Sequence, residues 1–151
     1  MVGLWRRESD AYLVVLRLVV AFVILWEFHK LYENDFNTLK GRYYASIYNL
    51  KYEFAEDWLP DVPQFDAMAA IVCTWAVCGV MVAVGYQYHL AMATFSVLFA
   101  FHYFSALSEY LNHHYLILWM GASFTLIPAA QSWSVDAYLK TGSFRGAGET
   151  P

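Results

Sequence analysis

The chain has 151 residues, enough for one domain and too few for two ordinary ones. Hydrophobic residues make up 60% and charged residues 15%, against roughly 45–50% and about 25% in a soluble globular chain, and mean hydropathy is +0.38. With a net charge of only −4 and no basic block, the composition argues against a nucleic-acid partner and for apolar helices in lipid joined by polar loops.

The residues up to Arg7 are followed by an apolar stretch that is too long for a cleavable signal peptide and lacks a small-residue cleavage site. It reads as a retained first span, about 10–32. Its core, 11–26, carries one charge, Arg17, and its flank, Glu27-Phe28-His29-Lys30, is amphipathic. About 20 helical residues cover the hydrocarbon layer, so the length fits. The stretch 33–64 interleaves charges (Lys40, Arg42, Lys51, Asp57) with aromatics (Tyr43, Tyr44, Tyr52, Trp58), as a segment lying on the membrane interface does. Pro60 and Pro63 close it, and Asp61 or Gln64 stands where the next helix starts.

The second span, about 65–86, has no charge after Asp66. A tight turn at 85–89 leads into the third, about 90–110, whose end Glu109 and Asn112 mark. The fourth, about 113–134, contains Pro128, which kinks it or ends its regular part. The expected architecture is all-α: an integral membrane four-helix bundle over 1–138, with an amphipathic, aromatic-rich interfacial segment between the first and second spans. The remainder, 139–151, reads as a flexible polar tail. Four crossings put both ends on one side, with Arg6, Arg7, Lys140 and Arg145 there and Lys30, Lys40, Arg42 and Lys51 opposite. That balance decides nothing, but Arg6 and Arg7 directly before the first helix favour cytoplasmic termini. Cys73 and Cys78, five apart on a helix, lie on different faces and read as small buried apolar side chains, not a disulfide.

Ionisable groups inside a membrane are costly and therefore candidates for function. Arg17, Glu27, His102, Glu109 and the pair His113-His114 qualify. Arg17 suits an anionic ligand or a carboxylate partner; a structural interhelical salt bridge or snorkelling to the interface are the other readings. His102, Glu109 and His113 share a helical face if the helix continues. No Glu-x-x-His or His-x-x-His pair accompanies them, so hydrogen bonding at a helix corner is expected ahead of a metal. His113 and His114 suit proton transfer, or are simply a polar pair at a helix start capped by Asn112.

The run Asn112-His113-His114-Tyr115-Leu116, followed without a gap in the alignment by Trp133-Ser134-Val135-Asp136, resembles vitamin K-dependent gamma-carboxylase and its bacterial relatives, the horizontally transferred transmembrane domain family. The family pattern is Asn-His-x-Tyr-Leu, an apolar helix, then Ser-Val-Asp or Ser-Leu-Asp. The segment from Lys51 through Trp58 to Pro60, Arg17 in the first helix, and the break at Gly85 extend the resemblance over about 10–138. It implies that the position of His113 belongs to an active-site region in the carboxylases. Their base is a lysine in a later membrane helix. The sequence given ends 15 residues after Asp136, with Lys140 the only lysine beyond it and outside any matching helix.

Carboxylation needs quinone, CO₂ and a glutamyl peptide held together. The resemblance therefore implies a non-catalytic accessory subunit of a larger membrane complex, of respiratory or photosynthetic type, built on a truncated carboxylase-like membrane domain in a bacterial inner membrane. Membrane lipid and other membrane subunits are its expected partners, with quinone, pigment or lipid contact as the cofactor expectation. Small residues (Ala67, Ala69, Ala70, Gly79, Ala83, Gly85) are expected to face partner helices. In this reading Asn112, His113, Tyr115, Trp133 and Asp136 satisfy one another at helix ends. The alternative is a half-enzyme that binds a quinone-like ligand near His113, with Arg17 and Glu109 close by, completed by another chain. A further alternative is a small redox membrane protein similar to DoxX proteins.

Overall fold

The computed structural model describes residues 2–33, 36–44, 52, 57–105 and 112–144, with the backbone alone for 2–10, 38, 42 and 43. Among the described residues all regular structure is helical: α1 (Val2–Tyr32), α2 (Asn37–Tyr43), α3 (Phe65–Val84), α4 (Tyr88–Ser105), α5 (Asn112–Leu126) and α6 (Val135–Thr141), with no strand. Ala11–Tyr32, within α1, and Phe65–Val84 are long and apolar enough to cross a membrane. At about 46 Å, the 31-residue α1 exceeds the roughly 30 Å hydrocarbon layer. It begins eight residues before the expected span, with the helical backbone continuing outward past the apolar stretch.

One pattern organises the packing. Buried side chains recur in steps of three and four: Arg17, Val20, Ile24, Glu27 and Leu31 on α1, then Met68, Val72, Trp75, Gly79 and Val82 on α3. Tyr88, Met92, Phe95, Phe99 and His102 do the same on α4. A repeat of 3.5 residues keeps one seam of each helix facing its neighbour, as in left-handed bundles. Accordingly α1 packs along α3, α3 along α4, and α4 along α5. Trp75, fully buried, meets Phe95, Phe99 and His102 at ring-centroid distances of 6.0, 5.2 and 4.8 Å. The opposite faces carry exposed apolar side chains, among them Phe22 and Trp26 on α1, Val77 and Val80 on α3, Leu90 and Val97 on α4, and Leu116 and Trp119 on α5.

Several expectations change. Gly79 does not face outward: a Cβ there would lie 2.9 Å from Leu25, so the glycine lets α1 and α3 approach closely. Gly85 is also buried. Cys78 is buried as expected, but Cys73 is exposed. The fourth helix stops at Leu126, eight residues early, because Pro128 has no N–H to give the carbonyl of Phe124. That carbonyl accepts from Ile127 N at 3.2 Å and from the Tyr88 hydroxyl at 3.1 Å instead. The tail expected from 139 onward starts as helix α6, ends at Gly142 (φ 71°), and folds Phe144 back onto Tyr138 with centroids 4.7 Å apart.

Within the expected interfacial segment, α2 rests on α1. Phe36 packs edge-on against Tyr32 and Phe65, Tyr44 packs on Phe65, and Lys40 Nζ sits 4.7 Å over the Phe65 ring. Residues 45–51 and 53–56 lie outside the described residues. Gln64 immediately precedes α3, as expected of a helix start, but its side chain makes no capping hydrogen bond.

Candidate functional site

The polar residues singled out above do not form one site. They gather at two corners about 15 Å apart along α1, the rise of ten helical residues between Arg17 and Glu27.

The first corner is built around Gly85. α3 ends there with φ 68°, and the N–H of Tyr86 reaches back to Met81 O at 2.9 Å, a glycine-closed helix end. A Cβ on Gly85 would lie 2.4 Å from the Ser134 Cβ and 2.8 Å from Arg17 Nη1, so glycine is required by space as well as by φ. Asp136 locks the same turn. Its N–H donates to Gly85 O at 2.9 Å, while its carboxylate accepts from Gln87 N at 2.8 Å and Tyr88 N at 3.1 Å. These are otherwise unsatisfied donors at the start of α4, and an anion there also suits the helix dipole. Ser134 caps α6 by accepting from Ala137 N at 3.0 Å and donates to Ala130 O at 2.6 Å. The Ser-Val-Asp motif is thus two helix caps, one local and one for a distant helix.

Arg17 is buried, and among the described residues its guanidinium forms no ion pair with a carboxylate. Its guanidinium donates to three carbonyls of the non-helical segment before α6: Ala129 at 3.3 Å, Ser132 at 3.4 Å and Trp133 at 2.6 Å. Those carbonyls lie outside the regular helices, and the arginine fork satisfies them. Trp133 itself holds a left-handed φ of 50° with its side chain exposed. The strain is tolerated where the Trp133 carbonyl is held by Arg17 and the next residue, Ser134, is fixed by its cap.

The second corner joins α1 to the start of α5. Glu27, in the seam of α1, is buried. Its Oε2 lies 3.3 Å from His114 Nε2, and its Oε1 lies 3.7 Å from His113 Nε2 and 2.7 Å from Lys30 Nζ. Lys30 Nζ also meets His113 Nε2 at 3.3 Å. His114 is buried against Phe99, whereas His113 is exposed. The sequence reading centred on His113, but His114 and Glu27 hold the inside of this corner. The signal was present in the step of seven from Val20 to Glu27, which puts the glutamate on the buried seam. Beside them a cavity of about 30 Å³ is lined by Glu27, Lys30, Leu31, Trp75, Phe99, His102 and His114. That is room for one or two waters. The Trp75 indole N–H finds no hydrogen-bond partner among the described residues.

Asn112 opens the described part of α5, and both Asn112 and Tyr115 are exposed. Glu109 lies outside the described residues. Three side chains could hold a metal: one donor atom each from Glu27, His113 and His114 lie within 4.8 Å of one another. A family model, the HTTM domain, matches residues 5–145. No curated protein and no solved structure matches the chain.

Proposed function

The chain belongs to the HTTM domain family, and from that premise we propose that it is an integral membrane packing module, a non-catalytic accessory subunit of a larger membrane complex. The observation that carries this reading is the use of the motif residues. Arg17, Ser134 and Asp136 each bind backbone groups of this chain and knit its helices together. The cavity beside His114 holds about 30 Å³, whereas pockets for organic ligands run to roughly 300–1,000 Å³. A quinone ring does not fit there, and Arg17, which the half-enzyme alternative needs near His113, is engaged at the other corner. Family membership also speaks against the DoxX-like alternative.

In this reading α1, α3, α4 and α5 are the four crossings and α2 lies at the interface. α5 spans only about 22 Å, so the non-helical 127–134 segment completes its passage, covered by Arg17 as a buried irregular backbone must be. Both ends face the cytoplasm of a bacterial cell, and the outer apolar faces meet lipid and the helices of a respiratory or photosynthetic host. Mild-detergent purification from native membranes, followed by native mass spectrometry, tests the proposal. We expect the chain in a fixed ratio with other membrane polypeptides; a monodisperse lone monomer would overturn it.

A further inference from the structure

We propose that Glu27, His113 and His114 form a binding site for a divalent first-row transition-metal ion, bridging the first helix and the start of α5. The donor set is two imidazole nitrogens and one carboxylate, which suits zinc, iron, copper or nickel and not the oxygen-seeking magnesium or calcium. Three protein ligands leave one coordination position open.

The geometry is nearly assembled. Ligand atoms around a tetrahedral ion with bonds of about 2.0–2.1 Å stand roughly 3.4 Å apart. Glu27 Oε2 to His114 Nε2 is 3.3 Å, and Glu27 Oε1 to His113 Nε2 is 3.7 Å. These two distances run to different oxygens of the Glu27 carboxylate, and with one donor atom from each residue all three lie within 4.8 Å of one another, so side-chain rotations that shorten the longest separation by about 1.4 Å close the set. Glu27 comes from the buried seam of α1, and the two histidines from the first turn of α5. Since α1 packs on α3 and α5 on α4, a metal here links the two ends of the helix row.

Lys30 marks the same place as a cation site. An ammonium only donates hydrogen bonds, so its 3.3 Å contact with His113 Nε2 makes that nitrogen an acceptor, with its lone pair turned into the cluster. That is the form in which imidazole binds a metal. His114 Nε2, facing a carboxylate oxygen, is the N–H tautomer here, and coordination requires its other tautomer. Lys30 is 37% exposed and can swing into water, leaving Glu27 to the ion. Lysine and metal therefore compete for one carboxylate, a relation that a structural salt bridge alone does not predict.

The test uses the full chain in lipid nanodiscs, stripped of metal and titrated with Zn²⁺ against a chromophoric chelator, with 1 mM Mg²⁺ present. We expect one Zn²⁺ per chain. H113A, on an exposed side chain that does not endanger folding, should weaken binding by at least about tenfold, as should H114A and E27Q. K30M should tighten it, and Co²⁺ should show visible absorption bands of tetrahedral character. Circular dichroism confirms that each variant is folded. Equal Zn²⁺ affinity in the wild type and in the folded H113A variant would overturn the site. So would a K30M variant that binds no more tightly than the wild type.

Discussion

The guanidinium of Arg17, in the first long helix, donates to the carbonyl of Trp133, 116 residues later, at 2.6 Å. Arg17 and Ser134, the residue after Trp133, both come up against Gly85, whose missing Cβ leaves room for them. Around this contact the start of the chain, the α3–α4 turn and the segment after Pro128 are held together.

Removing the fork should therefore weaken the whole fold. R17M leaves three carbonyls without their donor inside an apolar environment, at about 1–3 kcal/mol for each group that finds no water. A drop in unfolding midpoint is expected in detergent, followed by near-ultraviolet circular dichroism. R17K keeps the charge but not the planar fork, and should recover less than half of the loss.

Asp136 should behave as a cap and not as a catalytic acid. D136A loses both acceptors for Gln87 N and Tyr88 N and should cost about 1–2 kcal/mol. D136N, which retains one acceptor oxygen, should lose about half as much. The same denaturation assay separates them, and equal losses would contradict the two-oxygen arrangement.

Two glycines with nearly the same φ allow a controlled comparison. Gly85 and Gly142 have φ 68° and 71°, but only at Gly85 would a Cβ meet other atoms. G142A should cost about 1–2 kcal/mol, the strain of a left-handed alanine. G85A adds a clash at 2.4 Å with the Ser134 Cβ and should destabilise by several kcal/mol or prevent folding. Expression level and thermal unfolding in parallel read the difference.

Tyr88 and Pro128 should be coupled. Y88F removes the hydroxyl that donates to Phe124 O, at about 1 kcal/mol. P128A offers that carbonyl an N–H four residues on, so the hydroxyl matters less in its presence. A double-mutant cycle should return a coupling of about 0.5 kcal/mol or more, and strict additivity would argue against the shared carbonyl.

Much of the fold was legible because membrane helices follow from apolar length. The starts of α3 and α4 fall within two residues of expectation, since Gln64 and Gly85 stand just before long apolar runs. Pro128 was recognised as an interruption, but how far the helix would fall short was not readable. That depended on Tyr88 being near enough to take up the released carbonyl of Phe124, and Arg17 the carbonyls that follow. Family motifs led to the correct residues for the Gly85 corner, yet not to their work as caps, because a cap for a distant helix has no local spacing.

The histidine corner shows the same division. A row of His102, Glu109 and His113 on one helix is the pattern visible along the chain, but it has no Glu-x-x-His or His-x-x-His pair and draws on a single helix. The carboxylate that meets the histidines comes from α1, 86 residues before His113 and 87 before His114. Sequence alone determined the two long apolar helices, the family, and Arg17, Glu27, His102 and His114 as ionisable residues held in the interior, since each depends on composition or on spacing within one segment. Only the tertiary structure decided which polar groups meet. Arg17 went to backbone carbonyls and Glu27 to the histidines because helix packing sets those distances, and no local pattern encodes them.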